Sequence, residues 1–277
     1  MLPEHRKGYA DTSRGQVHFR FSKAEGGAGS APAVILMHWV PGTGRMYEHV
    51  LPLLAREGFD VYALDMMGFG RSDRRETFWT IGDYADNVCE VLDDLGRDQA
   101  FILGGHFSGA VACDLALRHT ARVPKVILDG SPCWDEAGRK KVLKFVTIPH
   151  PTLDPEGAYK TFPWERAVAA LKDWDSTFEV SQETLDDVYL MMIDYLEMRF
   201  DRPAKAVVDY DMGSRLKNLN LPVLALTSPL EKLYALHETV MARVPGCREH
   251  VFEGKHPVLE PSRAPEYVAA ISSFLNE

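Results

Sequence analysis

Short apolar runs recur along the chain, separated by stretches with helical spacing. Gln16-Val17-His18-Phe19-Arg20-Phe21 alternates apolar with polar positions and predicts a half-exposed strand. Ala33-Val34-Ile35-Leu36-Met37 is apolar throughout and predicts a strand buried on both faces. Residues 46–57 have helical spacing, and Phe59-Asp60-Val61-Tyr62-Ala63-Leu64 reads as the next strand. Residues 80–95 predict an amphipathic helix with Ile81, Tyr84, Val88, Val91 and Leu92 on one face. Ala100-Phe101-Ile102-Leu103 then predicts a buried strand, residues 110–117 a helix, and Lys125-Val126-Ile127-Leu128-Asp129 another strand.

Strands alternating with helices imply βαβ units and a mostly parallel sheet covered on both faces. The alternation stops after Pro132, and residues 133–207 offer no clear strand. This part is rich in aromatic residues and methionine, and predicts an insert of several helices. Most of these side chains are expected to form the insert's own core. A minority, with Trp134, Trp164 and Tyr195 as candidates, would line an apolar pocket above the sheet. The alternation resumes with a strand at 222–226, a helix at 236–243, a strand at 250–252 and a closing helix at 264–275.

Composition narrows the function classes. The 277 residues are 45% hydrophobic and 26% charged, which fits one large α/β domain with an insert. A net charge of -9 argues against nucleic acid or an anionic membrane surface as partner. No run approaches the ~18 apolar residues of a membrane span. The first residues also lack the apolar core of a signal peptide. Cys89, Cys113, Cys133 and Cys247 are scattered without a CxxC pair, so free thiols in a reducing, cytoplasmic compartment are expected. HExxH and paired Cys/His spacings are absent, so the sequence suggests no metal, and Gly68-x-Gly70 is too short for a dinucleotide fingerprint.

The chemistry concentrates at Gly104-Gly105-His106-Phe107-Ser108-Gly109-Ala110. Strand, tight glycine turn and helix are the setting of a nucleophile elbow, which holds one side chain at the top of a sheet. His38-Trp39-Val40-Pro41-Gly42 is similar to an H-G-x-P-G oxyanion loop, and Asp65-Met66-Met67-Gly68-Phe69-Gly70-Arg71-Ser72 to a D-x-x-G-x-G-x-S loop. With the insert and the late Gly254-Lys255-His256, the chain resembles the α/β-hydrolase superfamily over nearly its whole length. The resemblance implies a mostly parallel, doubly covered sheet with a helical cap inserted after the sixth strand. It divides the chain into a core, 1–132 and 206–277, and a cap, 133–205.

The superfamily's common elbow is G-H-S-x-G-G. Residues 105–110 match it without a gap, which puts Phe107 in the nucleophile slot and leaves His106 packing beside the elbow. A rival register starting at Gly104 puts His106 in that slot but Ser108 on a required glycine. Phenylalanine has no lone pair to attack with, so a covalent acyl-enzyme is not expected. The resemblance assigns the oxyanion hole to the N–H groups of Val40 and Ser108, with Trp39 replacing the family's glycine. It makes His256 the general base. Asp129 is the first candidate for the orienting acid and Glu231 the other. His38, Trp39, His106 and Phe107 are expected to contact substrate.

A narrower resemblance concerns the cofactor-free dioxygenases that open 3-hydroxy-4-oxoquinoline rings, which belong to this superfamily and carry their acid where Asp129 stands. Arg45-Met46-Tyr47 and Ser228-Pro229-Leu230-Glu231-Lys232-Leu233-Tyr234 are similar to segments of those enzymes. The resemblance implies that His256 deprotonates a substrate hydroxyl and that O2 reacts with the resulting anion, with neither metal nor flavin. The substrate would be a small heteroaromatic such as a 3-hydroxy-4-quinolone. The second reading is a hydrolase of an ester, lactone or related bond using His256-activated water, strengthened if His106 occupies the elbow tip. The third is a catalytically silent small-molecule binder.

Overall fold

The computed structural model describes residues 5–25, 31–40, 42–74, 77–146 and 201–277, with isolated positions between 155 and 185. Among them, eight strands form one sheet: β1 (Arg6–Thr12), β2 (Gly15–Ser22), β3 (Ala33–Met37), β4 (Asp60–Leu64), β5 (Phe101–Gly105), β6 (Val126–Asp129), β7 (Val223–Thr227) and β8 (Arg248–Val251). Their order is β1-β2-β4-β3-β5-β6-β7-β8. β1, β2 and β4 pair antiparallel, and every other pair is parallel. β1 does not stand out in the sequence. It is a mostly exposed edge strand, where polar side chains discourage pairing with another chain and blur the apolar pattern.

The apolar runs of β3 and β4 are buried along their full length. Alternate side chains feed opposite layers, as the two-residue period of a strand demands. Val34 and Leu36 join Leu51, Leu54 and Tyr267 on one face, while Ile35 and Met37 join Tyr84, Val88 and Val111 on the other.

The helices are α1 (Leu51–Arg56), α2 (Ile81–Asp94), α3 (Phe107–Arg118), α4 (Glu136–Val146), α5 (Asp201–Asp209), α6 (Met212–Arg215), α7 (Tyr234–Arg243) and α8 (Ala264–Leu275). α2 begins on a capping box: Thr80 accepts from Asp83 N–H while the Asp83 carboxylate accepts from Thr80 N–H. The single helix expected over 46–57 is instead a short turn, Gly44–Tyr47, followed by α1. Pro52 lies in the first turn of α1, where a missing N–H costs nothing; further inside it would break the helix.

β3 is followed by β4 on one side, and β5 lies on the other. This reversal opens a crevice at the carboxyl ends of β3 and β5, the place where open α/β sheets bind ligands. The chain leaves the sheet after β6 and returns at β7, with α4 and α5 in between lying against each other. Most of the expected cap lies outside the described residues. All four cysteines are free thiols. No helix among the described residues is long and apolar enough to cross a membrane.

Candidate active site

The loop after β3 is locked from beneath. His38 is fully buried, with Nδ1 2.7 Å from Trp39 O and Nε2 accepting from Met66 N–H at 3.1 Å. A carbonyl can only accept and a backbone N–H can only donate, so the ring is the neutral Nδ1–H tautomer. Burial pushes its pKa down, against the opposing pull of the Trp39 carbonyl and the Asp65 charge. The expectation that His38 contacts substrate is therefore corrected: both ring nitrogens are spent inside the protein.

Asp65 follows β4 and ties three segments together. Its carboxylate accepts from Gly44 N–H at 2.8 Å and Arg71 N–H at 3.0 Å, and pairs with His18 at 2.9 Å and Arg20 at 3.2 Å. Burial alone would raise this carboxyl, but the bond from His18 and the charge of Arg20 outweigh it and hold it low. The D-x-x-G-x-G-x-S loop is thus a brace under the crevice.

The elbow follows β5. His106 has φ 49° and ψ -115°, the one non-glycine residue with positive φ among the described residues. Strain of this kind costs about 1–3 kcal/mol and persists where the surroundings impose it. Its N–H donates to Asp129 O and Gly130 O, each at 3.0 Å. Phe107 is already the first residue of α3, buried edge-on to Tyr84 at 5.0 Å and tilted to Phe69 at 5.9 Å. The tip is His106, and the assignment of Phe107 to the nucleophile slot is corrected. The motif begins at Gly104, as in the rival register.

One further correction follows. With the tip at 106, the N–H next along the chain is that of Phe107, not Ser108. The Ser108 hydroxyl is fully buried and accepts from Gly105 N–H at 3.0 Å; its own proton faces Met37 O at 2.7 Å and the carbonyls of His38 and Gly105 at 3.0 Å. It staples the elbow to the β3 loop.

Trp39 explains why the motif is shifted. Its indole stacks on the His106 ring at 3.9 Å and 11°, and stands edge-on to His256 at 4.9 Å. A Cβ on residue 105 would lie 1.9 Å from Trp39 Nε1. Only glycine admits that approach. Trp39 and Gly105 therefore fit together: the indole fills the space that a side chain at 105 would take.

Two histidine–carboxylate pairs flank the indole. His256 Nε2 lies 2.8 Å from Asp129 Oδ1, and Val258 N–H donates to its Nδ1 at 3.4 Å, which fixes the Nε2–H tautomer. Tyr267 donates to Asp129 Oδ2 at 2.6 Å. Burial, and then the Asp129 charge, push the Tyr267 phenol far up, so it stays a donor. On the other side His106 Nε2 lies 3.2 Å from Glu231 Oε1, an ion-pair contact without hydrogen-bond alignment. Thr227 donates to Glu231 Oε2 at 3.3 Å.

The structure thus brings Trp39, His106, Asp129, Glu231 and His256 together. Asp129 rather than Glu231 meets His256, and the sequence reading missed the Glu231–His106 contact and the Tyr267 brace. Trp134 and Trp164 are half-buried, each packed against one of the two core layers. Tyr195 lies outside the described residues. Asp129, Glu231 and His256 place one ligand atom each within 4.8 Å of one another, a donor set with metal-binding composition. Both Asp129 oxygens already accept hydrogen bonds, so a cation there would have to displace them.

A family model described as alpha/beta hydrolase fold matches residues 32–153. Epoxide hydrolase B of Mycobacterium tuberculosis is 35% identical over 98 residues, 35% of this chain and 28% of that protein. Haloalkane dehalogenase 2 of Mycobacterium bovis is 30% identical over 125 residues, covering 45% and 41%. The chain thus spans less than half the length of these curated relatives. The solved structure of epoxide hydrolase A from Mycobacterium thermoresistibile superposes with TM-score 0.80 at 18% identity, covering 98% of each chain. Two of these relatives are named epoxide hydrolases and one a haloalkane dehalogenase; none is named a quinolone dioxygenase, so the expectation of a dioxygenase gains no support. Sheet order, elbow, loop positions and superposition agree: the chain has the α/β-hydrolase fold.

Proposed function

We propose that this protein is a small-molecule hydrolase that works without a covalent intermediate at the elbow, using an imidazole to activate water. The observation that carries this reading is His106 at the strained elbow tip, where no serine, cysteine or carboxylate is offered to attack a substrate. A neighbouring base must then act on water instead. His256, held by Asp129, is that base. Among the described residues its Nδ1 has only the long contact from Val258 N–H, which a water molecule can replace, and such bonds tighten when substrate binds.

In this reading Asp129 holds the ring and stabilises the imidazolium that forms. The N–H groups of Val40 and Phe107 face the oxygen that gains negative charge, with Phe107 taking the place expected of Ser108. Residues 133–205 are the cap in this reading, and their aromatic content suits an apolar small molecule. Substrates are esters, lactones or epoxides, the last in keeping with the epoxide hydrolases among the relatives. The four free thiols suit a reducing compartment such as the cytoplasm.

The test is turnover of a panel of short esters, lactones and epoxides under nitrogen, beside oxygen uptake with 3-hydroxy-4-quinolones in air. Hydrolysis without oxygen, with one solvent 18O entering product in a single turnover, is expected. Oxygen uptake without added cofactor would overturn the hydrolase reading and restore the dioxygenase. Ligand recovered unchanged throughout would leave the protein a binder.

A further inference from the structure

We infer that His106 and Glu231 form a second acid–base pair of the same site, acting on the leaving oxygen while His256 acts on water. Its chemistry rests on the hydrolase reading, but its geometry stands apart from it. Three features of the fold converge on this pair. The backbone holds residue 106 at positive φ just after β5, with its ring between the Trp39 indole and the Glu231 carboxylate. Gly130, itself at φ 64°, leaves room for the carboxylate: a Cβ there would lie 2.1 Å from Glu231 Oε1 and 2.8 Å from His106 Cδ2. Thr227 holds the other Glu231 oxygen. Both side chains are more than nine-tenths buried, where a carboxylate without a cationic or hydrogen-bonding neighbour is costly.

Trp39 then keeps the His106 ring apart from the His256 ring, although the Glu231 carboxylate itself comes within 4.8 Å of the His256–Asp129 pair. Stacking on one face of His106 and standing edge-on to His256, the indole prevents the two imidazoles from bonding to each other. Two bases that cannot relay a proton between them suit a reaction that needs one proton removed and another delivered. His256 Nδ1 takes a proton from water as its oxygen bonds to the electrophilic carbon. The carbon–oxygen bond breaks, its electron pair goes to the leaving oxygen, and protonated His106 supplies the proton through Nδ1. Exchange with solvent resets both rings.

The pair therefore specifies a substrate class: bonds whose leaving group is an alkoxide, as in epoxides, lactones and alkyl esters. An aryl ester that releases a phenolate has much less need of that proton. The test is His106→Gln and Glu231→Gln assayed on an alkyl ester or epoxide and on a p-nitrophenyl ester. On alkoxide-releasing substrates His106→Gln should lose about 10²–10⁴-fold, the usual worth of general acid catalysis, and far less on the nitrophenyl ester. Equal losses on both substrates would overturn the assignment.

A measurement independent of turnover uses 15N spectra of histidine-labelled protein. Glu231→Gln should move the His106 ring signals and leave those of His256, with Asp129→Asn doing the reverse. Unmoved His106 signals, or signals that move together in either variant, would overturn the pair. Should the parent protein hydrolyse nothing, the hydrolase reading fails, and the spectra still decide whether the pair exists.

Discussion

The two histidine–carboxylate contacts at the top of the sheet are built to different standards. Asp129 ends a central strand, both its oxygens are engaged, and the His256 ring it holds has one definite tautomer. Glu231 comes from the loop after β7 and meets His106 at 3.2 Å without alignment, on a backbone under strain. A carboxylate placed by the sheet is fixed before substrate arrives. One placed by a loop against a strained residue can tighten only when something fills the crevice. The contrast is between a finished pair and a poised one.

The finished pair should be the more sensitive to loss. In Asp129→Asn the amide can no longer both hold the His256 tautomer and stabilise its imidazolium. Turnover of an alkyl ester should fall by about 10³–10⁴-fold, the scale of losing such a carboxylate. A fall below tenfold would mean that the buried pair is structural and the chemistry lies with Glu231. Next in size is Gly105→Ala, which drives a methyl group into Trp39 Nε1. The indole must leave His106 or the elbow must shift, at about 1–3 kcal/mol for overpacking. Urea unfolding measures this, and an unchanged midpoint would show that Trp39 is not wedged between the pairs.

Much of this contrast is legible in the sequence. The apolar runs of β3 to β7 marked a buried parallel sheet because both faces are covered, and α8 falls on its expected residues. Asp129 was legible because it ends a strand, and His256 because it lies in the loop that follows one, both at the carboxyl edge of the sheet. The elbow was not legible to within one residue. Gly104-Gly105-His106-Phe107-Ser108-Gly109 accepts the motif in two registers, and the deciding quantity is the sign of a backbone angle at His106. A signal was nevertheless present: Trp39 in place of a loop glycine needs a neighbour without a side chain, and Gly105 is that neighbour. The brace from Tyr267 had no such signal, because it reaches Asp129 across 138 residues of chain.

Phe107 offers a smaller test of the same register. Its ring belongs to the α2–α3 side of the core, edge-on to Tyr84. Phe107→Leu should cost about 0.5–1.5 kcal/mol, the worth of aromatic pairing beyond area. A stability gain on that substitution would be expected of a strained, functional position and would argue that residue 107 is the tip after all.

The smallest effect sets both pairs against a histidine the fold has silenced. Burial lowers the His38 pKa below its ordinary 6.5, so the folded chain refuses a proton that the unfolded chain takes up as pH drops past that value. The stability this neutral ring contributes is complete above about pH 6.5 and is lost as pH falls toward the folded value. The depressed Asp65 carboxyl acts in the same direction but only near and below 3.8, so the two separate on a pH scale. Urea midpoints between pH 7.5 and 5.5 should therefore decline, and a His38→Asn variant that folds should decline less steeply. Equal slopes would mean that His38 takes up its proton in the folded protein, which its carbonyl and N–H partners leave no free nitrogen to accept.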